Sequence, residues 1–219
     1  MEPNLQTIFD GIVDGNAPLV REKVTEALGA GLEPATILNQ AMVAAMAEVG
    51  RRFEGGEYYV PDMLVAARAM RTGTEILKPR LQQDPVRSAG KAVIGTVKGD
   101  LHDIGKNLVG MMLEGAGFEI VDLGTDVAPD KFVDAVRASG ATLIGMSALL
   151  TTTMPNMKSV IEALEKAGVR AQVKVMVGGA PLTAEYARQI GADGFASDAS
   201  RAVTLAQTLN AGLPSSSMA

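Results

Sequence analysis

One histidine occurs in the chain, His102, and it sits in the stretch GTVKGDLHDIG (Gly95–Gly105) between Asp100 and Asp103. An imidazole beside a carboxylate can serve as the base of a nucleophilic triad, but that needs a serine on a strained elbow, and no G-x-S-x-G is present. A zinc site built from protein alone needs three or four ligands, usually including more His or Cys. One imidazole suffices where a macrocycle supplies the other donors and the protein adds an axial ligand. The plainer reading is a solvated loop residue or the first residue of a helix.

The neighbouring residues suit an axial ligand. Asp100 precedes His102 by two positions, close enough to accept a hydrogen bond from the ring nitrogen facing away from a metal, which sets the tautomer and raises basicity. Gly105 would let the backbone come close to a large flat ligand.

Two kinds of element must carry this stretch. Residues 1 to about 88 have apolar residues recurring at helical spacing: Leu5, Ile8, Phe9, Ile12 and Val13, then Val20, Val24, Ala27 and Leu28. A third segment opens at Pro34 and carries Ile37, Leu38, Ala41, Met42, Ala45, Met46 and Val49. Gly55 and Gly56 end it, and a fourth runs from Pro61 towards Pro79. Four helices with short connections predict a four-helix bundle.

The polar run 82–90, rich in Gln, Pro and Gly, reads as a linker. Beyond it, short β-rich runs at 92–97, 118–123, 142–147, 173–178 and 194–196 alternate with amphipathic segments near 104–115, 129–139, 155–167, 183–189 and 199–210. This alternation predicts an α/β domain with a doubly wound, five-stranded parallel sheet, Rossmann-like or flavodoxin-like. Such sheets bind ligands at the carboxyl ends of their strands, and His102 leaves the end of the first. The expected domains are therefore 1–88, helical, and 89–219, α/β.

Bulk properties narrow the partners. With 20 Lys and Arg against 25 Asp and Glu, the formal charge is −5, so no basic surface offers itself to nucleic acid. No cysteine is present, which excludes disulfides and thiolate chemistry. The opening MEPNLQTIFDG lacks the features of a secretory signal, and no apolar run approaches the ~18–20 residues of a membrane span. A cytoplasmic protein with no membrane partner is expected.

The stretch Asp100-Leu101-His102-Asp103-Ile104-Gly105 has the form D-x-H-x-x-G and resembles the cobalamin-binding motif of B12-dependent methyltransferases and mutases. Three further segments agree in order: Ser147-Ala148-Leu149, Gly178-Gly179, and Gly191 to Ala199, each near the end of a predicted strand. In the first half, Val49 to Pro61 (VGRRFEGGEYYVP) is similar to the turn of the helical cap of methionine synthase and of small corrinoid proteins in methylotrophic and O-demethylase systems. The resemblance covers nearly the whole chain.

It implies that cobalamin binds with its own lower base displaced and with His102 on cobalt. Asp100 would orient the ring and Ser147 would extend the relay. Gly178, Gly179, Leu149 and Thr151 would line a slot for the nucleotide tail. The motif as a whole, with Gly99, Leu101, Asp103, Ile104 and Gly105, and also Ala199, would contact the cofactor. Phe53, Val60 and Met63 would lie over the methyl-bearing face. Taken without the resemblance, Gly178-Gly179 reads as an ordinary turn, Thr151 to Thr153 as a capping run before Pro155, and Met63 as bundle core.

The function implied is a corrinoid methyl carrier, the subunit of a system rather than a complete enzyme. It would take a methyl group on Co(I) from a substrate-specific methyltransferase and deliver it from methyl-Co(III) to an acceptor methyltransferase working on tetrahydrofolate or a thiol, with a reductive activator in support. The linker would be the hinge of the cap. A cobalamin-dependent sensor would be expected to carry a DNA-binding module, and no helix-turn-helix segment with a basic face is found. A mutase subunit would carry a barrel or no cap. A flavodoxin would favour a Ser/Thr-rich first loop, and a phosphoacceptor domain an Asp where Ser147 stands.

Overall fold

The computed structural model describes residues 2–81 and 89–211. The expected linker and hinge, 82–90, thus lies outside the described residues except for Ala89 and Gly90. The chain divides into two compact units, one of N-terminal helices and one containing the sheet.

The helical unit comprises α1 (Pro3–Val13), α2 (Ala17–Gly29), α3 (Pro34–Thr36), a π-helical stretch (Ile37–Val43), α4 (Ala44–Glu54) and α5 (Val60–Leu81). Proline stands in the first turn of α1, α2 and α3, where its missing N–H has no partner to lose. Asn16 caps α2, its side chain accepting from Leu19 N at 3.1 Å. From α3 to α4 the chain winds without a break, so the expected four-helix bundle is present with one difference. The third helix widens to π geometry over Ile37–Val43, an irregularity that apolar spacing does not reveal. Ile8, Ile12, Val20, Val24, Ile37, Met42 and Leu77 form the fully buried interior. Gly73 makes room for Met42, whose methyl would lie 2.7 Å from a Cβ there.

The second unit runs β1 (Gly90–Thr96), α6 (Ile104–Gly115), β2 (Phe118–Asp122), α7 (Pro129–Ser139), β3 (Leu143–Ser147), α8 (Pro155–Lys166), a 3-10 turn (Arg170–Gln172), β4 (Lys174–Gly178), α9 (Ala184–Ile190), β5 (Gly194–Ala196) and α10 (Ala199–Ala211). The five strands are parallel in the order β2-β1-β3-β4-β5. Each observed strand lies within a residue or two of its predicted span. Val93, Ile144, Val175, Phe132, Met157 and Leu164 are fully buried between the sheet and its helices.

This order reverses direction between β1 and β3, and such a reversal opens a crevice at the carboxyl ends of the two strands. The register then sets the level of the motifs. Thr96 pairs with Ser147, Ser147 with Gly178, and Gly178 with Ala196, so four strands end in one row.

Candidate functional site

Asp100 lies where the loop after β1 meets the loop after β3. It is fully buried, and its two carboxylate oxygens divide their work. Oδ1 lies 2.8 Å from His102 Nδ1 and also accepts from His102 N at 3.1 Å. Oδ2 accepts from Leu149 N at 2.8 Å, from Leu150 N at 3.2 Å and from the Thr153 hydroxyl at 2.6 Å. The strand order makes this possible, because only adjacent strands bring two crossover loops within hydrogen-bond reach.

Burial by itself would push the Asp100 carboxyl up. The hydrogen bonds from Thr153, from the His102 ring and from the backbone at Leu149 and His102 outweigh it and hold the group well below the usual carboxylate range. The ionised carboxylate can only accept, so Nδ1 of His102 carries the proton and Nε2 keeps its lone pair. Nε2 has no hydrogen-bond partner among the described residues, and the side chain is 50% exposed. That is the tautomer a metal ligand requires.

The surface around the imidazole is apolar. Leu101 is 73% exposed, Ile104 75%, Leu149 41% and Leu150 43%. Four large apolar side chains gathered at the end of a sheet leave a patch that water solvates poorly, and such a patch marks a binding surface. A Cβ at Gly105 would meet nothing within 4 Å, so space for a broad ligand lies directly over the backbone there. Among the described residues no group of three or more His, Cys, Asp or Glu side chains is placed to hold a metal ion. The donor set is therefore one nitrogen in an apolar ring of side chains. It fits a flat macrocycle that brings its own metal and equatorial donors.

The comparisons with known proteins agree with this chemistry. Residues 90–204 match the B12 binding domain, and residues 5–78 match a second B12 binding domain family. The chain belongs to the B12-binding family. Its cofactor is cobalamin or a related corrinoid, whose ring and cobalt the geometry above accommodates. This B12-binding protein is 44% identical over 197 residues to trimethylamine corrinoid protein 1 of Methanosarcina acetivorans, covering 89% of this chain and 91% of that one. It is 44% identical over 209 residues to the dimethylamine corrinoid protein of Methanosarcina barkeri, covering 95% and 98%. Among solved structures, the methanol:cobalamin methyltransferase complex of Methanosarcina barkeri gives a TM-score of 0.85 at 28% identity, covering 97% of this chain and 81% of that one. A cobalamin-binding protein from Desulfitobacterium hafniense gives 0.78 at 32% identity, covering 94% and 98%.

The B12-binding protein brings most of the expected residues to one edge. Gly99, Asp100, Leu101, His102, Asp103, Ile104 and Gly105 form the loop after β1 and the start of α6, while Leu149 and Thr151 lie exposed after β3. Gly178 and Gly179 follow β4. A Cβ on Gly179, at φ 137°, would stand 1.9 Å from the Ala148 carbonyl oxygen, so the backbones after β3 and β4 touch there.

Three of the expected residues have surroundings that the sequence did not indicate. Ser147 does not extend the relay: its side chain makes no hydrogen bond among the described residues, and Thr153 donates to Asp100 instead. Ser147 still belongs to β3, whereas the following turn carries Thr153 back under the carboxylate. Met63 is fully buried on the inner stripe of α5, one helical turn from Ala66 and Ala67 and two from Met70. It is bundle core, and the exposed large apolar residues at that end are Tyr59, Val60, Leu64 and Val65, with Phe53 half-buried. Ala199 is buried where α10 packs against β5, and offers little surface to a ligand.

Two groups escaped sequence reasoning. Lys106 is buried with its ammonium 2.7 and 2.6 Å from the two oxygens of Asp122. Asp126 accepts from Gly99 N at 2.7 Å. A lysine in a stripe of apolar residues is the available signal for the first. Asp126, in a turn full of acceptable turn residues, gave none.

Proposed function

We propose that this protein is a methyl carrier, with residues 89–219 as the cobalamin-binding domain and residues 1–88 as a lid. When bound, the corrinoid supplies the chemistry, its cobalt taking up a methyl group and giving it away. His102 Nε2 would be the protein's ligand to the cobalt, in place of the cofactor's own base. Asp100 keeps the ring in the required tautomer, and Thr153 shares a proton with the Asp100 carboxylate. The linked His102, Asp100 and Thr153 side chains would hold a proton whenever the imidazole is not coordinated. Ligation and protonation are thereby linked. Gly178, Gly179, Leu149 and Thr151 would wall the slot for the nucleotide tail, and Leu101, Ile104 and Leu150 would lie against the ring. Phe53 and Val60 would shield the reactive face from water.

Donor and acceptor would be activated by partners. We assign one partner as a substrate-specific methyltransferase, and a second as an acceptor methyltransferase acting on tetrahydrofolate or a thiol, with a reductive activator. The donor class assigned is the methylated amines. The trimethylamine and dimethylamine relatives share 44% identity with this chain over about nine-tenths of its length or more, against 28% for the methanol complex.

The observation that carries the proposal is the His102 ring, fixed by a buried ionised carboxylate with its outer nitrogen free. The test is reconstitution of the full chain with hydroxocobalamin and reduction to the Co(II) state. Electron paramagnetic resonance should show nitrogen coupling that is lost in His102→Ala. Coupling from dimethylbenzimidazole in the wild-type protein would sink the axial role. After further reduction, methyl uptake from trimethylamine or dimethylamine with the cognate methyltransferase, but not from methanol, is expected.

A further inference from the structure

The turn between β2 and α7 belongs to none of the cofactor motifs, yet it grips the histidine loop at both ends. At the near end is Asp126, the one non-glycine with positive φ (55°) among the described residues. Its Oδ1 accepts from Gly99 N at 2.7 Å, and its own N–H donates to Asp100 O at 3.0 Å. At the far end, Lys106 in the first turn of α6 binds both oxygens of Asp122 and also donates to Asn107 Oδ1 at 2.6 Å. Asn107 Nδ2 in turn donates to Asp103 Oδ2 at 3.0 Å. The turn is itself tied to β1 through Thr96 N to Gly124 O, 2.9 Å, and Val127 N to Thr96 O, 3.0 Å. The histidine loop is thus held at two anchors, Asp122 at the end of β2 and Asp126 in the six-residue turn 123–128 that follows it.

We infer that Asp126 is a positioning residue: the β2–α7 turn braces the histidine loop, and that brace sets how firmly His102 coordinates the cofactor's metal. The inference rests on the axial role proposed for His102. A coordinate bond forms only within a narrow distance, so a loop that yields lets the imidazole draw back. The backbone at Asp126 is held in a conformation that L side chains avoid, which the surrounding hydrogen bonds must enforce. Asp126 is exposed, so replacing it removes no core packing.

Three substitutions separate bracing from strain. Asp126→Asn keeps an acceptor for Gly99 N and tolerates left-handed backbone. Asp126→Gly relieves the backbone but removes the acceptor. Asp126→Ala removes the acceptor and leaves the backbone in its left-handed conformation. The full chain is loaded with hydroxocobalamin, reduced to Co(II), and the ratio of coordinated to free imidazole is read from nitrogen coupling and the visible spectrum. A lost hydrogen bond to a charged acceptor should lower that ratio roughly tenfold in Asp126→Ala. Asp126→Gly should fall between, and Asp126→Asn should stay near wild type.

Equal ratios in all three would overturn the brace while leaving the axial role intact, provided His102→Ala abolishes the coupling. Coupling that survives in His102→Ala would overturn the axial role, and the brace with it. Circular dichroism of the apoproteins checks folding. Should Asp126→Ala fail to fold, a lower ratio in Asp126→Gly than in Asp126→Asn supports the brace, and equality of those two overturns it.

Discussion

Thr153 Oγ1 lies 2.6 Å from Asp100 Oδ2, joining the turn after β3 to the loop after β1 across the point where the sheet reverses direction. The two residues are 53 apart in sequence. Their contact acts with the hydrogen bonds from the His102 ring and from the backbone at Leu149 and His102 to hold the Asp100 carboxyl below the usual range against its burial.

Removing that hydroxyl is expected to matter more than removing the neighbouring serine. Thr153→Val leaves one lone pair of a buried carboxylate unserved and should destabilise the apoprotein by about 1–3 kcal/mol. It should also let the Asp100 carboxyl take up a proton at higher pH than in the wild type, because the Thr153 hydrogen bond helps to hold that carboxyl down. Ser147→Ala should change both by little. Urea unfolding and a spectral pH titration of the three proteins check this.

Acid should destabilise the apoprotein through Asp100. Its carboxyl titrates below the unfolded value of about 3.9. The stability it contributes is therefore complete above that value and is lost as pH falls towards the folded one. Unfolding midpoints measured from pH 5 to pH 2 should fall for wild type below about pH 4. In Asp100→Asn they should start lower at pH 5 and fall less steeply.

Two glycines at the same edge should respond in opposite ways. Gly179→Ala drives a methyl into the Ala148 carbonyl from a left-handed backbone and should cost roughly 2–4 kcal/mol in the apoprotein. Gly105→Ala meets nothing and should leave stability unchanged or raised by up to ~1 kcal/mol. Its methyl would project where the corrin is expected, so hydroxocobalamin retained after gel filtration should drop. Thermal melts and bound corrin per protein separate the two outcomes.

In the helical unit, Met63→Ala should behave as a core truncation, costing about 2–5 kcal/mol. Val60→Ala, at a position 37% exposed, should cost about 0.5 kcal/mol or less. A reversed order in thermal melts would return Met63 to the ligand-facing surface.

What the amino-acid sequence determined by itself is what local spacing can encode. Apolar residues at helical and strand periods marked the helices of the bundle and the five strands to within a residue or two. The run Asp100 to Gly105 placed the imidazole at a strand end and supplied its carboxylate two residues away. Those features depend on neighbours within a turn or a strand pair. The tertiary structure decided which hydroxyl, Thr153 rather than Ser147, completes the relay, that Met63 faces inward, that the third helix widens over Ile37–Val43, and that Asp126 reaches Gly99 from 27 residues away. Each of these turns on strand order and helix packing, which bring distant residues together by geometry that no local period records.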